Sequence, residues 1–193
     1  MADPTLYEYP DPLEGYDNLE PLSEDRNEDG KSLQNPSSTK LSKAYDEFVD
    51  PLDKTSRGGF DIHIYFLQTN ERETSFARKL HERIRREFPE LRIYQFHDKP
   101  IGPHPVGMFE VNVFSPHQFG AFVSWLVINR GPLSALIHPN TGSHERDHTQ
   151  RVTWMGQPYP LQTGILRWLD ERDRKESEGR ENEVANGDGV AKG

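Results

Sequence analysis

At residues 61–67 the chain reads DIHIYFL, in which apolar and polar side chains alternate. Ile62, Ile64 and Phe66 fall on one face of an extended chain, and the side chains between them, His63 included, fall on the other. This period of two predicts a β-strand that is buried by one face. The same period decides which polar side chains the opposite face of a sheet would present.

Helical and strand patterns alternate after this stretch. In the first helix Phe76, Leu80, Ile84 and Phe88 recur every fourth residue, and Pro89 ends the pattern. The predicted elements are a strand at 61–67, a helix at 71–88, strands at 91–96 and 106–114, a helix that begins after Ser115 and ends at Gly131, and a strand at 133–138.

The order β-α-β-β-α-β within about eighty residues is typical of the ferredoxin-like fold. We therefore expect an α+β domain with a single antiparallel sheet, strand order 4-1-3-2, and both helices on one face. The other face would stay open. Residues 139–170 read as a turn-rich extension with a short helical piece near 161–169.

Charge divides the chain into three parts. Residues 1–57 hold 14 acidic and 6 basic residues with six prolines, which predicts a disordered acidic tail. Residues 58–170 are nearly neutral, contain all eight histidines, and form the predicted catalytic domain. Residues 171–193 read as a charged, disordered tail that continues the preceding helix and frays. Within the first part, residues 41–49 could form a helical turn that docks on the domain.

Composition also excludes several classes of protein. The chain has no cysteine, so disulfide frameworks and thiol chemistry are excluded. It has no apolar run of about 20 residues and no secretory signal, so we expect a cytoplasmic protein that does not enter membranes. Its acidic ends and neutral middle argue against nucleic-acid binding.

The open face of the predicted sheet carries a candidate metal site. The strand order brings His63, Glu110 and His138 toward the same end of that face. Two imidazoles and a carboxylate form the facial triad of non-haem iron oxygenases. A histidine at a strand end is more often an ordinary buried or surface residue. His81 and His117 are assigned such structural roles, and the roles of the other histidines stay open.

Two loops add further histidines. Residues 99–105 read KPIGPHP, a stiff turn in which three prolines surround His104, although a rigid connection alone would explain it. Residues 138–148 form a polar loop with three histidines, the last of which is His148.

These stretches resemble the DOPA 4,5-dioxygenase family of the fungal and bacterial type. The resemblance covers roughly residues 60–160. The matching motifs are HIYF at 63–66, PIGPHP at 100–105, MFEV at 108–111, WL at 125–126, NRG at 129–131, HPNTG at 138–142, DH at 147–148 and WMG at 154–156.

The resemblance implies a ferredoxin-like homodimer that cleaves a catechol such as L-DOPA with O2 at a non-haem Fe(II). The cleavage would be extradiol, of the kind that gives 4,5-seco-DOPA and then betalamic acid. His63, His104, His138 and His148 lie in the matching motifs, and the resemblance leaves open which of them bind the iron.

Two ligand sets compete. Strand geometry favours His63, Glu110 and His138, whereas the motifs favour His63, His104 and His138, which we adopt as the working set. If the third strand began at His104, that residue would lie about 20 Å from Glu110, so both could not bind one ion. The histidine set requires the proline turn to fold back over the sheet, or a partner subunit to contribute.

The remaining roles follow from this chemistry. His148 is the candidate that takes a catechol proton and later returns it, and Tyr65 is a candidate hydrogen-bond donor. Arg130, Arg146 or Arg151 could bind the substrate carboxylate as a fork. The alternative function is a non-catalytic ferredoxin-like module for ligand binding or dimerisation, which would not need a metal.

Overall fold

The computed structural model describes residues 9–16, 18–53 and 58–187, the last seven by their backbone alone. Five strands and four α-helices follow residue 58 in these ranges. They are β1 (Phe60–Phe66), α1 (Glu71–Glu87), β2 (Arg92–Ile93), β3 (Gly107–Val113), α2 (Pro116–Asn129), β4 (Ser134–Pro139), α3 (His144–Thr149), β5 (Thr153–Met155) and α4 (Thr163–Gly187). Every element predicted before residue 139 is present, and β2 is shorter than expected.

The five strands form one antiparallel sheet in the order β2-β3-β1-β4-β5. The central strand β1 pairs with β3 on one side and with β4 on the other. The predicted α+β class and single antiparallel sheet are confirmed. β5 was not predicted, because a period of two cannot be recognised in three residues. The ferredoxin-like description stays a prediction, since it accounts for four of the five strands.

Helices α1 and α2 cover one face of the sheet. Asn70 caps α1 by accepting hydrogen bonds from the amides of Arg72 and Glu73, and Ser115 caps α2 as predicted. Apolar side chains of both helices pack on the alternate residues of the strands and form the main core. Its largest members are Ile62, Ile64, Phe66, Ile84, Phe109, Phe122 and Leu126.

The opposite face is not open, which corrects the expectation from sequence. Tyr65, Met108 and Leu136 are buried there in a second, smaller apolar cluster. Side chains from residues 152–161 cover them, among them Trp154 and Tyr159. The extension after β4 lacks a helical or strand period, so its apolar residues gave no sign that they pack on the sheet.

The chain divides into two compact units, residues 1–43 and 44–193. Every described residue of the first unit is exposed, and its hydrogen bonds are local, as in the turn that joins Arg26 to Leu33. In the second unit Phe48 packs on Phe60 and Phe119, with ring centroids 5.1 and 6.2 Å away. Part of the segment predicted to dock therefore does so.

Helix α4 extends far into the segment predicted to be a disordered tail. Ion pairs one helical turn apart, Arg172 with Glu176 and Arg174 with Glu178, favour the helix. The continuation of the preceding helix is thus observed, whereas the boundaries at 57/58 and 170/171 stay predictions. No helix in the described ranges is long and apolar enough to cross a membrane.

Deletion of residues 1–43 is expected to leave the free energy of unfolding unchanged, because the described residues there bury no side chain. Phe48→Ala is expected to lower the free energy of unfolding by roughly 1–2 kcal/mol, because it removes a half-buried ring from two aromatic contacts. Urea unfolding followed by tryptophan fluorescence measures both. Tyr45→Ala, whose ring is 70% exposed, is the matched control. Equal stability of the two aromatic variants would contradict the docking of this segment.

Candidate metal centre

The register of the sheet places two rows of side chains across the face that α1 and α2 do not cover. Paired residues of an antiparallel ladder point to the same side of a sheet. The first row is Arg92, Asn112, Asp61 and His138, on β2, β3, β1 and β4. The second row is Glu110, His63, Leu136 and Trp154, on β3, β1, β4 and β5.

A cavity of about 310 Å³ lies over these two rows. Residues of α3, α4 and the proline turn before β3 form its other walls. Its lining consists of Asp61, His63, Arg92, Tyr94, Pro103, His104, Glu110, Asn112, Phe114, His138, Asn140, His144, His148, Leu166 and Leu169. The predicted convergence of His63, Glu110 and His138 is therefore observed, and His104 and His148 join them.

Four imidazoles form a cluster at one end of the cavity. The ring centroid of His63 lies 4.3 Å from that of His104, 5.1 Å from that of His138 and 5.8 Å from that of His148. The rings of His138 and His148 are 3.9 Å apart. Three separate parts of the fold thus deliver imidazoles to one place: the sheet, the proline turn and α3.

The proline turn folds back over the sheet, and this removes the conflict between His104 and Glu110. Ile101 and His104 exchange two backbone hydrogen bonds, and Gly102 between them has a φ of 55°, which glycine adopts without strain. Since β3 begins only at Gly107, the chain between His104 and Glu110 is not one extended strand. Both side chains reach the surroundings of His63, so the condition for a separation of about 20 Å is not met, and the fold-back that the histidine set requires is present.

His148 is held by contacts that fix α3. The Asp147 carboxylate accepts hydrogen bonds from the amide and hydroxyl of Thr141, both at 2.7 Å. At the start of α3 the Asp170 carboxylate of α4 accepts the amides of His144 and Glu145, at 2.5 and 3.0 Å. The hydroxyl of Ser143, the N-cap residue of α3, makes no capping bond, so Asp170 supplies the cap from another helix.

The hydrogen bonds of the imidazoles leave nitrogen lone pairs for a metal. His138 donates its Nδ1–H to the carbonyl of Pro139 at 2.8 Å, and His148 donates its Nδ1–H to the carbonyl of His144 at 2.9 Å. Such bonds orient the rings of metal-ligating histidines. The Nε2 atoms of His63 and His138 lie 3.0 Å apart, so His63 donates there and its Nδ1 keeps a lone pair.

His63 Nδ1 is a buried polar atom that makes no hydrogen bond within the described part of the chain. The nearest carboxylate oxygen, that of Glu110, is 3.7 Å away, which is too far for a hydrogen bond. A buried acceptor without a partner is costly, and a bound cation would remove that cost. The residues present therefore fit a metal ion that prefers imidazole nitrogen.

Two overlapping groups of donor atoms are close enough to hold one ion. The donors of His63, His104 and His148 all lie within 4.8 Å of one another, and so do those of Asp61, His63 and His138. The first group contains His148 in place of the His138 of the working set. The sequence could not show which of His138 and His148 belongs to the group, because their rings lie only 3.9 Å apart in the folded protein.

Burial keeps all four imidazoles neutral at physiological pH. It lowers the pKa of His104 to about 3 and that of His138 to about 4. The pKa values of His63 and His148 are also well below the usual value, through burial first and then through the neighbouring imidazoles. A neutral imidazole is the form that binds metal, so the cluster is in its ligating state.

Two carboxyl groups occupy the middle of the cavity, beside the imidazoles. The Asn112 amide donates to Asp61 at 2.5 Å and to Glu110 at 2.8 Å, and thereby bridges them. Burial, and then the charge of Glu110, raises the pKa of Asp61 to about 7. Burial also raises the pKa of Glu110. Sequence reasoning missed Asp61, although it lies two residues before His63 and therefore on the same face.

Tyr65 lies beneath the cavity and is not among the residues that line it. Its hydroxyl and His104 Nδ1 are hydrogen-bonded at 2.7 Å, and burial raises the pKa of the phenol. The structure therefore gives Tyr65 a role in orienting His104 rather than the predicted direct role toward a substrate.

The three candidate arginines point to other partners. Arg130 donates to the carbonyls of Gly131 and Leu133, Arg146 to the side chain of Gln150, and Arg151 to Thr141 and Asp147. None of the three is among the described residues that line the cavity, so the expectation that one of them binds the substrate carboxylate is not supported. The arginine that does line the cavity is Arg92, which is exposed on the edge strand β2.

Fold and site together define an α+β protein with an imidazole-rich cavity on its sheet. Residues 60–165 match the Dopa 4,5-dioxygenase family, and the chain belongs to that family. Each of the four clustered histidines lies inside the matched range. Membership in a dioxygenase family supports an enzymatic function.

Three individual proteins are similar to the chain. An uncharacterized 21.2 kDa protein of Botryotinia fuckeliana is 59% identical over 179 residues, which cover 89% of this chain and 98% of that protein. DOPA 4,5-dioxygenase of Amanita muscaria is 35% identical over 140 residues, which cover 70% of this chain and 61% of that protein. The crystal structure of a candidate dioxygenase from Nostoc punctiforme is 38% identical, with a TM-score of 0.53 over 58% of this chain and 93% of its own.

Asp170→Ala is expected to lower the free energy of unfolding by about 0.5–2 kcal/mol, because it removes the cap of α3. It should also weaken binding of Co(II) to the metal-free protein, since α3 carries His148. Asp170→Asn should retain about half of the capping effect, because the two amides bind separate oxygens of Asp170 and an asparagine has one acceptor oxygen. Asp173→Ala, which removes the partner of His144, is the control. Equal effects of Asp170→Ala and Asp173→Ala would contradict a specific role for the cap.

The metal-free protein is expected to lose stability as the pH falls from about 6.5 toward 4. The four histidines have folded-state pKa values below the unfolded value of about 6.5, so the unfolded state binds more protons in this window. Asp61, with its raised pKa, contributes in the opposite direction and offsets part of the fall.

Urea unfolding in the presence of a chelator at several pH values measures this dependence. His138→Gln should show a smaller loss between pH 6.5 and 4.5, because it removes one of the four groups. His117→Gln, at an exposed position of α2, should keep the wild-type slope. An identical slope in wild type and His138→Gln would show that His138 is not buried in its neutral form.

Proposed function

We propose that this protein is a non-haem iron dioxygenase that opens the ring of a catechol such as L-DOPA by extradiol cleavage. In this reaction the carbon–carbon bond beside the diol breaks and both atoms of O2 enter the product. The product from L-DOPA would be 4,5-seco-DOPA, which cyclises to betalamic acid. The observation that carries the proposal is the convergence of four neutral imidazoles on one cavity, with the Nδ1 of His63 unpartnered.

His63, His104 and His148 are the residues that would hold the metal. Their donor atoms lie within 4.8 Å of one another, and hydrogen bonds at Nδ1 orient the rings of His104 and His148. Three neutral imidazoles suit a divalent first-row metal and leave further positions vacant. Bound Fe(II) would supply a common site for catecholate and O2 and would relay electrons from the catecholate to O2, with no net change in the oxidation state of the iron.

His138 is then the imidazole that moves a proton. Its Nδ1–H is fixed on the carbonyl of Pro139, so Nε2, which accepts the bond from His63 in the metal-free protein, is the nitrogen that would take a proton from a catechol hydroxyl when that bond opens and return it after ring opening. Its pKa of about 4 in the metal-free protein favours release of that proton. This assignment exchanges the roles that the sequence suggested for His138 and His148.

The carboxyl groups of Glu110 and Asp61 are the alternative candidates for metal ligands. Asp61 forms a second donor group with His63 and His138, whereas Glu110 lies 3.7 Å from His63 Nδ1. The amide of Asn112 already occupies one oxygen of each carboxyl group. We therefore assign both to the pocket around the substrate rather than to the metal.

The alternative function is a non-catalytic module that binds a ligand or a second subunit through this face of the sheet. The cover of residues 152–161 over part of that face, and the burial of three of the four clustered imidazoles, favour the enzyme. A homodimer and a cytoplasmic location stay predictions from the sequence; light scattering on the purified protein tests the former.

Anaerobic loading of the full chain with Fe(II), followed by L-DOPA and air, tests the proposal. A yellow product that requires iron and disappears with a chelator supports it. Iron binding without product would keep the metal site and discard L-DOPA as a substrate. Absence of both would favour the binding module.

Single substitutions separate the ligands from the proton carrier. His63→Ala, His104→Ala and His148→Ala should each weaken Fe(II) binding by roughly 100-fold or more, because each removes a ligand. His138→Ala should retain iron and reduce turnover by roughly 10²–10⁴-fold, as loss of a general acid–base does. Metal analysis after dialysis and a steady-state assay measure the two effects. His117→Ala is the control, and circular dichroism checks the fold of every variant. Loss of iron in His138→Ala with retention in His148→Ala would restore the original set.

A further inference from the structure

Helices α1 and α2 cover the same face of the sheet but expose different chemistry to the solvent. The exposed residues of α1 are charged, apart from Ser75 and Phe76. The exposed residues of α2 carry no formal charge; they are His117, Gly120, Ala121, Ser124, Val127 and Ile128. Val127 is 54% exposed and Ile128 80%. In a chain of which 28% is charged, an exposed helix face that has no charge and carries large apolar side chains indicates a contact surface.

The apolar face of α2 has small residues at one end and bulky residues at the other. Gly120 and Ala121 precede Ser124 by four and three residues, and Val127 and Ile128 follow it by three and four. If two copies of α2 pack antiparallel about a two-fold axis at Ser124, Ile128 of each copy lies over Gly120 of the other, and Val127 lies over Ala121. A face that fits itself in this way favours a second copy of this chain as its partner.

Gly120 has no evident role within a single chain. Its φ is not positive, and a Cβ at this position would meet no atom within 4 Å in the described part of the chain. A glycine inside a helix destabilises it relative to alanine, so it is expected where another molecule or segment approaches the backbone closely. Close approach of Ile128 from a second copy would account for the glycine.

The pairing buries no unsatisfied hydroxyl and opposes no like charges. Ser124 Oγ donates to the carbonyl of Ala121 at 3.1 Å, so the hydroxyl is already hydrogen-bonded when the face is covered. Because the face is uncharged, two copies can meet there although each chain has a net charge of −9. At the flank formed by α1, Arg83 is paired with Glu87 of its own helix at 3.2 Å.

The size of the face sets the strength of the contact. The 14 residues of α2 give a length of about 21 Å, and a helix is about 10 Å wide. The segment that packs Phe48 on Phe119 of α2 adds Tyr45 and Val49, which are 70% and 58% exposed. A standard interface takes about 20–30 residues from each partner, so this contact belongs with the small, reversible ones. We therefore expect a dissociation constant in the micromolar range.

We propose that the exposed face of α2 is the surface through which two copies of this chain associate, antiparallel about a two-fold axis at Ser124. The family resemblance implies a homodimer but assigns no surface to it. Since α2 lies on the opposite side of the sheet from the cavity, the inference does not rest on the proposed function, and the cavity stays accessible in the dimer.

The substitution Ser124→Cys tests the position of the axis, because the chain has no cysteine of its own. Helices in contact have axes about 8–10 Å apart, which leaves roughly 3.5–5.5 Å between facing Cα atoms, and a disulfide needs about 4.4–6.8 Å. Mild oxidation of the full chain at about 10 µM should therefore give mainly covalent dimer on a non-reducing gel. Ser177→Cys is the matched control and should give little dimer, since Ser177 is also an exposed helical serine that bonds the carbonyl three residues before it.

Sedimentation velocity at increasing concentration measures the association without a cross-link. Wild type should shift from monomer toward dimer across the micromolar range. Gly120→Gln should raise the dissociation constant by roughly tenfold or more, because the longer side chain fills the space that Ile128 of the other copy would occupy. The same variant should resist urea at least as well as wild type, since glutamine favours the helix and meets open space there. Lower stability with unchanged association would contradict the role given to Gly120.

Ser124→Lys places two like charges against each other on the axis and should keep the chain monomeric. An equimolar mixture of Ser124→Lys and Ser124→Glu should restore the dimer. A wild type that stays monomeric at about 100 µM would overturn the second copy as the partner and leave the face of α2 to a different protein. Equal cross-linking of Ser124→Cys and Ser177→Cys, or association that Ser124→Lys leaves unchanged, would overturn this face as the surface.

Discussion

β1 pairs with a neighbouring strand on each side, so each residue on its cavity face has two cross-strand partners. His63 stands between Glu110 and Leu136, and Asp61 stands between Asn112 and His138. A slip of one residue in either pairing would turn the partner strand over and remove these side chains from the cavity. The site therefore depends on the register of one strand, which the apolar side chains on its opposite face hold in the core.

The burial that positions the imidazoles also lowers the stability of the metal-free protein. Four histidines in contact are kept neutral by desolvation, and the Nδ1 of His63 lacks a hydrogen-bond partner among the described residues. Asn112, by contrast, is hydrogen-bonded to both acids. A buried polar atom without a partner is typical of a site built for a ligand rather than for stability.

Short-range periodicity in the sequence predicted the strands and the face of the sheet on which each side chain lies. It could not predict contacts between segments that are far apart in the sequence. Alternation assigned His63 and His138 to the cavity face, and the motif around His104 identified a rigid turn. No pattern in residues 139–170 indicated that they cover part of the sheet, so the sequence did not show that Tyr65 would be buried beneath them. Arg92 could not be found, because its place depends on the pairing of a two-residue strand with β3.

Helix α4 and the residue before it contact both segments outside the sheet that carry clustered imidazoles. Asp170 caps α3, which carries His148, and the amide of Gln162 just before α4 donates to the carbonyl of Pro103 beside His104. Leu166 and Leu169 of the same helix line the cavity, although both lie beyond the range matched by the family. The matched residues thus supply the imidazoles and the bond of Gln162, while residues beyond the match cap α3 through Asp170 and form an apolar wall. Amino-acid differences in α4 can therefore change the shape of the cavity without altering the histidines that supply the donor atoms.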